Sequence, residues 1–225
     1  MRTCVIIPTY NEARAIAGLI NQISKLELEI IIVDDGSVDD TVKIATACGA
    51  KVLANQRNLG KGASLIRGYN FALKQGFDAV ISMDGDGQHS PDDLSVFIQK
   101  AKNSTSALIV GNRMGMTKGM PVLRLITNLL MSKFISLIVK QHIPDSQCGF
   151  RLVKRELLSR MDLSASKYEI ESEVLIKVAH LGFKIESIPV KTIYAGHKSQ
   201  INPLVDTLRF IRFMILEFVR SPKHV

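Results

Sequence analysis

The chain is expected to fold as an α/β domain, a mostly parallel central sheet flanked by helices, with amphipathic helices in its C-terminal half. Three observations predict this. Five short runs are largely apolar and β-branched, which suits strands covered on both faces. Helix-like stretches separate them, the alternation that builds parallel sheets through crossovers. Acidic and glycine-rich segments follow those runs directly, where open parallel sheets bind their ligands.

The first expected strand, Thr3 to Ile7, runs into Pro8-Thr-Tyr-Asn-Glu12, and a helical pattern covers Glu12 to Ser24. Glu29 to Val33 is the second strand, leading to Asp34-Asp-Gly-Ser37, with a helix over Asp39 to Ala47. Lys51 to Ala54 with Lys61 to Gln75, and Ala79 to Met83 with Pro91 to Lys102, make two further pairs. The fifth strand, Ala107 to Val110, meets Gly111-Asn-Arg113. The pattern then changes. A long amphipathic helix is expected over about Pro121 to Lys140, then a polar loop, Asp145 to Gly149, and an apolar run, Phe150 to Val153. A helix near Glu169 to Leu181, a strand from Lys184 through Tyr194 and a last helix over about Pro203 to Val219 complete the chain. No linker or repeat interrupts it, so residues 1–225 read as one domain, with halves 1–113 and 114–225.

Lys and Arg number 29 against 21 Asp and Glu, a formal charge of +8 that suits a polyanionic partner. With no Trp and no basic run interleaved with aromatics, no nucleic-acid partner is expected. Cys4, Cys48 and Cys148 are widely spaced and form no CxxC pair, so a reducing cytoplasm is the expected location. Met1 and Arg2 lead straight into an apolar strand, without a signal-peptide layout. The apolar stretches Val122 to Val139 and Leu204 to Val219 carry Arg124, Lys133, Arg209, Arg212 and Glu217. They are expected to lie on a membrane rather than to span it.

The segment with the most pointed chemistry is Met83-Asp-Gly-Asp-Gly-Gln-His89. Asp84 and Asp86, one residue apart on a glycine turn, can both approach one hard cation, Mg²⁺ or Mn²⁺, and Gln88 can add a carbonyl oxygen. An EF-hand is excluded, since its spaced third ligand and terminal Glu are missing. At the second strand end an acid can accept from a base N–H or a ribose hydroxyl, or Ser37 or Asp39 can simply cap the next helix. Tyr10 can stack on a base while Glu12 hydrogen-bonds it; equally, Pro8 can form a turn with Asn11 as a cap. Asn58-Leu-Gly-Lys-Gly62 is no Walker A loop, because Gly62 stands where Ser or Thr belongs. A nicotinamide dehydrogenase lacks its GxGxxG here, and a nucleotidyltransferase lacks its basic glycine loop after the first strand.

In order along the chain stand IPTYNE (7–12), IVDDGS (32–37), NLGKGAS (58–64), MDGDGQH (83–89), VGNR (110–113), DSQCGFR (145–151), YEIESEVLIK (168–177) and SQINP (199–203). Together these resemble the family-two inverting nucleotide-sugar glycosyltransferases of the GT-A fold, over Val5 to about Phe210. Within that family the likeness is to polyprenyl-phosphate sugar synthases of the dolichol-phosphate mannosyltransferase type. The resemblance implies a nucleotide-sugar and metal half, 1–113, and an acceptor half, 114–225. Pro8, Tyr10, Glu12, Val33 and Asp35 would line the base and ribose pocket, with Lys61 leaning toward the diphosphate. Asp84, Asp86 and Gln88 would hold the ion, Gly85 would touch the donor, and Arg113 would face a donor or acceptor phosphate.

An inverting transfer needs the charge on the departing diphosphate stabilised, and a hydroxyl acceptor needs a base, which an ionised lipid phosphate does not. Asp145 is the expected base or acceptor-orienting acid, with Glu169 and Glu171 in reserve. Two apart on a helix, those two cannot both face the site. Arg113, Arg124, Lys133 and Arg151 would form a cationic channel for a polyprenyl phosphate at an anionic membrane surface. A soluble hydroxyl acceptor and a non-catalytic nucleotide-sugar-binding subunit are the alternatives. Where the family carries an Arg and a Lys on the donor diphosphate, this chain offers Tyr194 and Gln200, with His197 and Lys198 nearby, leaving GDP-mannose or a UDP-sugar open as donor. The family's appended transmembrane helices have no counterpart, so attachment would be peripheral, on the cytoplasmic face, or through a membrane-protein partner.

Overall fold

The computed structural model describes residues 1–117 and 119–193. The expected last helix, the SQINP segment and residues Tyr194, His197, Lys198 and Gln200 lie outside the described residues. Along the chain run β1 (Thr3–Thr9), α1 (Ile16–Ser24), β2 (Glu29–Asp34), α2 (Thr41–Ala47), β3 (Lys51–Ala54), α3 (Lys61–Lys74) and β4 (Ala79–Ser82). There follow α4 (Asp93–Asn103), β5 (Leu108–Asn112), α5 (Val122–Val139), β6 (Arg151–Lys154), α6 (Arg155–Leu158), α7 (Ile170–His180) and β7 (Ile185–Pro189). The strands form one seven-stranded sheet in the order β3-β2-β1-β4-β6-β5-β7. All pairs are parallel except those of β6, which runs antiparallel to both β4 and β5.

The inner strands are apolar because both faces are covered. Cys4 to Ile7 and Ile32 to Val33 are wholly buried, and Ile6 pairs with Ile31 in register. Burying each such aliphatic side chain contributes about 1.5–3 kcal/mol. On one helix, α1, the i, i+3, i+4, i+7 spacing of Ile16, Leu19, Ile20 and Ile23 is the buried stripe. Another, α3, lies close on the sheet at Gly68, where a Cβ would stand 2.7 Å from Cγ2 of Ile6.

Most element ends fall within two residues of expectation, and three differences matter more. The segment from Glu12 to Ala15 makes a turn, closed by the Ala15 N–H donating to the Glu12 carbonyl at 3.0 Å, so α1 starts only at Ile16. The last strand ends at Pro189 rather than reaching Tyr194, because beyond it β5 offers no further ladder partner. A short helix, α6, follows β6 unannounced by any long periodic stretch.

The long helix α5 is amphipathic with its polarity turned around. Its buried stripe is Asn128, Ser132, Ile135 and Val139. The Ser132 hydroxyl accepts from the Ser146 N–H at 2.8 Å, and that of Ser136 accepts from the Ile143 N–H at 2.9 Å, so the inward polar side anchors the loop before β6. Val122, Leu123, Ile126, Leu129, Leu130 and Leu137 are left exposed, Leu137 by 70%. With 18 residues and a mean hydropathy of 1.7, α5 is long and apolar enough to cross a membrane, correcting the expectation that its charges forbid this. Its inner side nevertheless packs on α7 and the 143–146 loop.

Candidate active site at the carboxyl rim of the sheet

The turn after β4 packs directly on the end of β1. A Cβ at Gly85 would stand 2.8 Å from Cγ2 of Thr9 and 3.2 Å from the Pro8 carbonyl oxygen, so only glycine lets these segments meet. Asp86 closes the turn, its Oδ1 accepting from the Gln88 N–H at 3.0 Å. Its other oxygen accepts no hydrogen bond among the described residues. Glu12 reports the crowding of acids at this rim. Burial first, and then the negative charges of Asp86, Asp39 and Asp84, push its carboxyl up to about 7. Segments from the ends of β1, β2 and β4 therefore converge, as expected.

That shift has a measurable consequence. The folded chain keeps a proton on Glu12 that the unfolded chain releases from its ordinary 4.5, so stability is lost as pH rises between 4.5 and about 7. In chelator-treated buffer, Glu12→Gln is expected to melt with the wild type at pH 4 and above it at pH 8. Thermal melts at both values check this; equal melting temperatures at pH 8 would contradict it.

Asp84 sits in a charged knot. Lys61, first residue of α3, places its Nζ 2.5 Å from Asp84 Oδ1 and 2.7 Å from Glu171 Oε1 on α7. His89 Nε2 lies 3.3 Å from Asp84 Oδ2, its ring packed on Phe150 at 5.0 Å between centroids. Burial pushes the Asp84 carboxyl up, but the Lys61 charge and the His89 hydrogen bond outweigh it and hold it well below the usual range. Burial likewise disfavours the charged Lys61, and the two acids overcome it, raising its affinity for its proton. Lys61 thus leans on Asp84 and Glu171.

The β2 end departs from expectation. Val33 is wholly buried, its Cγ2 packed beside Gly68 of α3, so it lines the core rather than a pocket. Asp35 turns inward: Oδ1 accepts from Asn55 Nδ2 at 2.9 Å and the Leu59 N–H at 2.8 Å, and Oδ2 from the Gly60 N–H at 2.7 Å. It fixes the loop that launches Lys61, instead of presenting a free carboxylate to a ribose. Asp34 accepts from the Gly36 and Ser37 N–H groups, closing its own turn. Asn11, in the left-handed region at φ 57°, accepts from the Val38 N–H at 2.9 Å and so ties the first rim loop to the second rather than capping α1. Pro8 and Tyr10 are half-buried beside them.

Five residues expected at the acceptor side are placed as follows. Arg113 and Asp145 form a buried bidentate pair, Nε to Oδ2 at 2.7 Å and Nη2 to Oδ1 at 2.9 Å, with the Arg113 N–H adding a third bond at 3.1 Å. Burial raises the Asp145 carboxyl, and the Arg113 bonds and charge outweigh it and hold it below the usual range. An acid whose side chain is 0% exposed and fully paired is not positioned as a general base. Arg113 is held by it through Nε, Nη2 and its backbone N–H. Arg151 is buried too, donating to the carbonyls of Cys148, Glu171 and Ser146 at 2.7, 2.6 and 2.8 Å, which pins the polar loop and not an acceptor. Arg124 and Lys133, nine residues apart on α5, lie about half a turn out of phase and cannot line one channel. Lys133 emerges among the exposed leucines, whereas Arg124 flanks the buried stripe.

Sequence reasoning also missed Glu173. Wholly buried, it accepts from the Ser164 and Ala165 N–H groups and pairs with Lys177 at 2.9 Å, holding the loop whose Ser166 carbonyl accepts from the Ala63 N–H. Its neighbour two residues earlier, Glu171, is the reserve acid that pairs with Lys61 at 2.7 Å. Only the YEIESEV segment itself signalled either.

Among the described residues no group of three His, Cys, Asp or Glu side chains stands ready for a metal. A hard ion such as Mg²⁺ does not require one, since it is commonly held by one or two carboxylates and substrate phosphates. Asp86 keeps an oxygen without a partner, and the acids crowding Glu12 repel one another, a field that a cation relieves. The residues fit.

An open, mostly parallel α/β sheet with paired acids on a glycine turn at its carboxyl rim defines the class: a domain built to meet phosphorylated ligands. The chain belongs to glycosyl transferase family 2, whose model matches residues 4–161. The UDP-N-acetylglucosamine–dolichyl-phosphate N-acetylglucosaminyltransferase of Methanococcus voltae is 32% identical to it, over 95% of each chain. The polyprenol monophosphomannose synthase of Mycolicibacterium smegmatis is 29% identical, over 84% of this chain and 76% of that protein. The same fold occurs in the glucosyl-3-phosphoglycerate synthase of Mycobacterium tuberculosis, crystallised with Mn²⁺, uridine diphosphate and phosphoglyceric acid. That structure superposes with a TM-score of 0.76 at 23% identity, covering 99% of this chain and 79% of its own. The expected family and GT-A architecture are thereby confirmed.

Proposed function

We propose that this glycosyltransferase moves a sugar from a nucleoside-diphosphate donor to a polyprenyl phosphate at a membrane surface, using Mg²⁺ or Mn²⁺. The observation that carries the donor reading is the packing of the Asp84–Gly85–Asp86 turn against Pro8 and Thr9, which joins paired acids to the Tyr10 segment in one rim. Asp84 and Asp86 would hold the ion, with Gln88 beside them. Bound there, a divalent ion supplies positive charge to the departing diphosphate.

The acceptor reading agrees with three features. Both curated relatives described above carry a polyprenol or dolichyl phosphate in their names. A lipid phosphate is already ionised, so it attacks the anomeric carbon without a base, in keeping with an Asp145 that is fully paired. The outward apolar face of α5, with Lys133 among its leucines, suits a peripheral seat on an anionic bilayer, on the cytoplasmic side.

The test is an assay with polyprenyl phosphate in anionic vesicles, Mn²⁺, and either UDP-N-acetylglucosamine or GDP-mannose. Sugar is expected on the lipid phosphate with one donor, and chelator is expected to abolish it. Replacing Leu123, Leu130 and Leu137 together by Gln is expected to lower vesicle binding and lipid transfer at least tenfold, while donor hydrolysis persists. Transfer to a soluble acceptor only, or to none with either donor, would sink the proposal.

A further inference from the structure

We propose that Lys61 is a built-in counter-ion which a divalent cation displaces from Asp84, and that Glu171 is the acid which receives it. This rests on the reading that Asp84 holds the cation. Glu171 would then be a positioning residue, acting through Lys61 without touching substrate.

The geometry is a lysine shared between two acids that differ in what else they can bind. Asp84 is partly open at the rim, 28% exposed in its side chain, whereas the Glu171 side chain is 6% exposed. Lys61 is the one ion partner of Glu171 among the described residues, and neither Glu171 oxygen makes any other hydrogen bond there. Bare backbone roofs the pair. A Cβ at Gly149 would stand 2.9 Å from both Lys61 Nζ and Asp84 Oδ1, so no side chain fits over the pair on that side.

A cation on Asp84 binds carboxylate oxygen at roughly 2.0–2.5 Å. Bound to Oδ1, it would then sit within about 5 Å of the ammonium held 2.5 Å from that same oxygen, where like charges repel. One of the two must yield. The flexible four-carbon stem of lysine lets its ammonium pivot, and Glu171 offers a full charge to pivot on. A buried carboxylate with no other donor also needs that ammonium to stay, because leaving it unpaired is costly. Sharing therefore serves both states: with the cation absent, Lys61 neutralises Asp84 and Glu171 together, and with the cation bound it neutralises Glu171 alone.

The sign of the effect separates this exchange from a merely structural ion pair. In Glu171→Gln, Lys61 has Asp84 as its one acid, so a cation must strip a buried ammonium of its last counter-ion. Affinity for Mn²⁺ is expected to fall at least tenfold. The double variant Lys61→Met/Glu171→Gln has neither competitor nor orphaned acid, and its affinity is expected to equal or exceed that of the wild type. The measurement is a titration of the full chain with Mn²⁺ alone, free ion counted by electron paramagnetic resonance, with thermal melts run alongside.

Equal affinities for Glu171→Gln and wild type would overturn the proposal, as would a double variant no tighter than Glu171→Gln. If Glu171→Gln does not fold, the double variant decides alone: weaker binding than the wild type overturns the exchange, and equal or tighter binding supports it. A wild type that binds no Mn²⁺ would instead overturn the metal reading itself, and this proposal with it.

Discussion

Asp86→Ala is expected to abolish sugar transfer, by at least about 10²–10³-fold in kcat, while leaving the melting temperature close to that of the wild type. The magnitude follows from what such charge stabilisation supplies. Removing one preorganised group aimed at developing negative charge costs about 10²–10³ in rate, and a ligand to the ion that serves the leaving diphosphate should matter no less. The fold should survive because Asp86 is half-exposed and accepts a single local hydrogen bond, from the Gln88 N–H. Gly85 and Gly87 still shape the turn, the latter at φ 72°. Transfer assays beside thermal melts check both halves of the statement. Near-normal turnover would remove Asp86 from the site, and a large loss of stability would recast it as structural.

The second large effect is on stability. Arg113→Met removes one partner of a pair in which both side chains are at most 5% exposed, leaving Asp145 charged and uncompensated. Breaking a buried pair from one side costs about 3–5 kcal/mol. For a domain of this size each kcal/mol lowers Tm by about 2–4 °C, so a drop of about 10 °C is expected. Arg113→Met/Asp145→Leu removes both charges and should recover much of the loss, because an apolar pair of similar volume is often neutral against a buried ion pair. Melting curves of the single and double variants decide. A single variant as stable as the wild type would show that the pair is not holding the loop from Asp145 to the end of β5.

Features set by nearest neighbours in the sequence were legible without coordinates. Apolar runs and turn residues placed β2, β3 and α3 within a residue or so, and the glycines around Asp84 and Asp86 marked a tight rim turn. What stayed hidden depends on who meets whom across the chain. Arg113 and Asp145, 32 residues apart, read as two separate ligands for phosphate and proton, and instead they find each other. Asp35 reads as an acid offered to a nucleoside, and its oxygens turn inward to three donors at 55–60. The period of α5 reveals two unlike faces but not which is covered. Loop residues 143–146 present hydrogen-bonding groups, and these draw the serines inward. Nor does any local pattern announce that β6 slips between β4 and β5 in reverse.

That reversed strand makes the chain indivisible. Strand β5 is contributed by residues before 114, yet its ladder neighbours are β6 and β7, both contributed after it. A cut at 113 would strip β5 of every strand it pairs with, so the motif-bearing front portion cannot be excised, or grafted onto another catalyst's rear portion, as a finished module. The two portions are woven through one hydrogen-bonded sheet. Recombination among relatives should therefore succeed in swapping rim loops rather than halves.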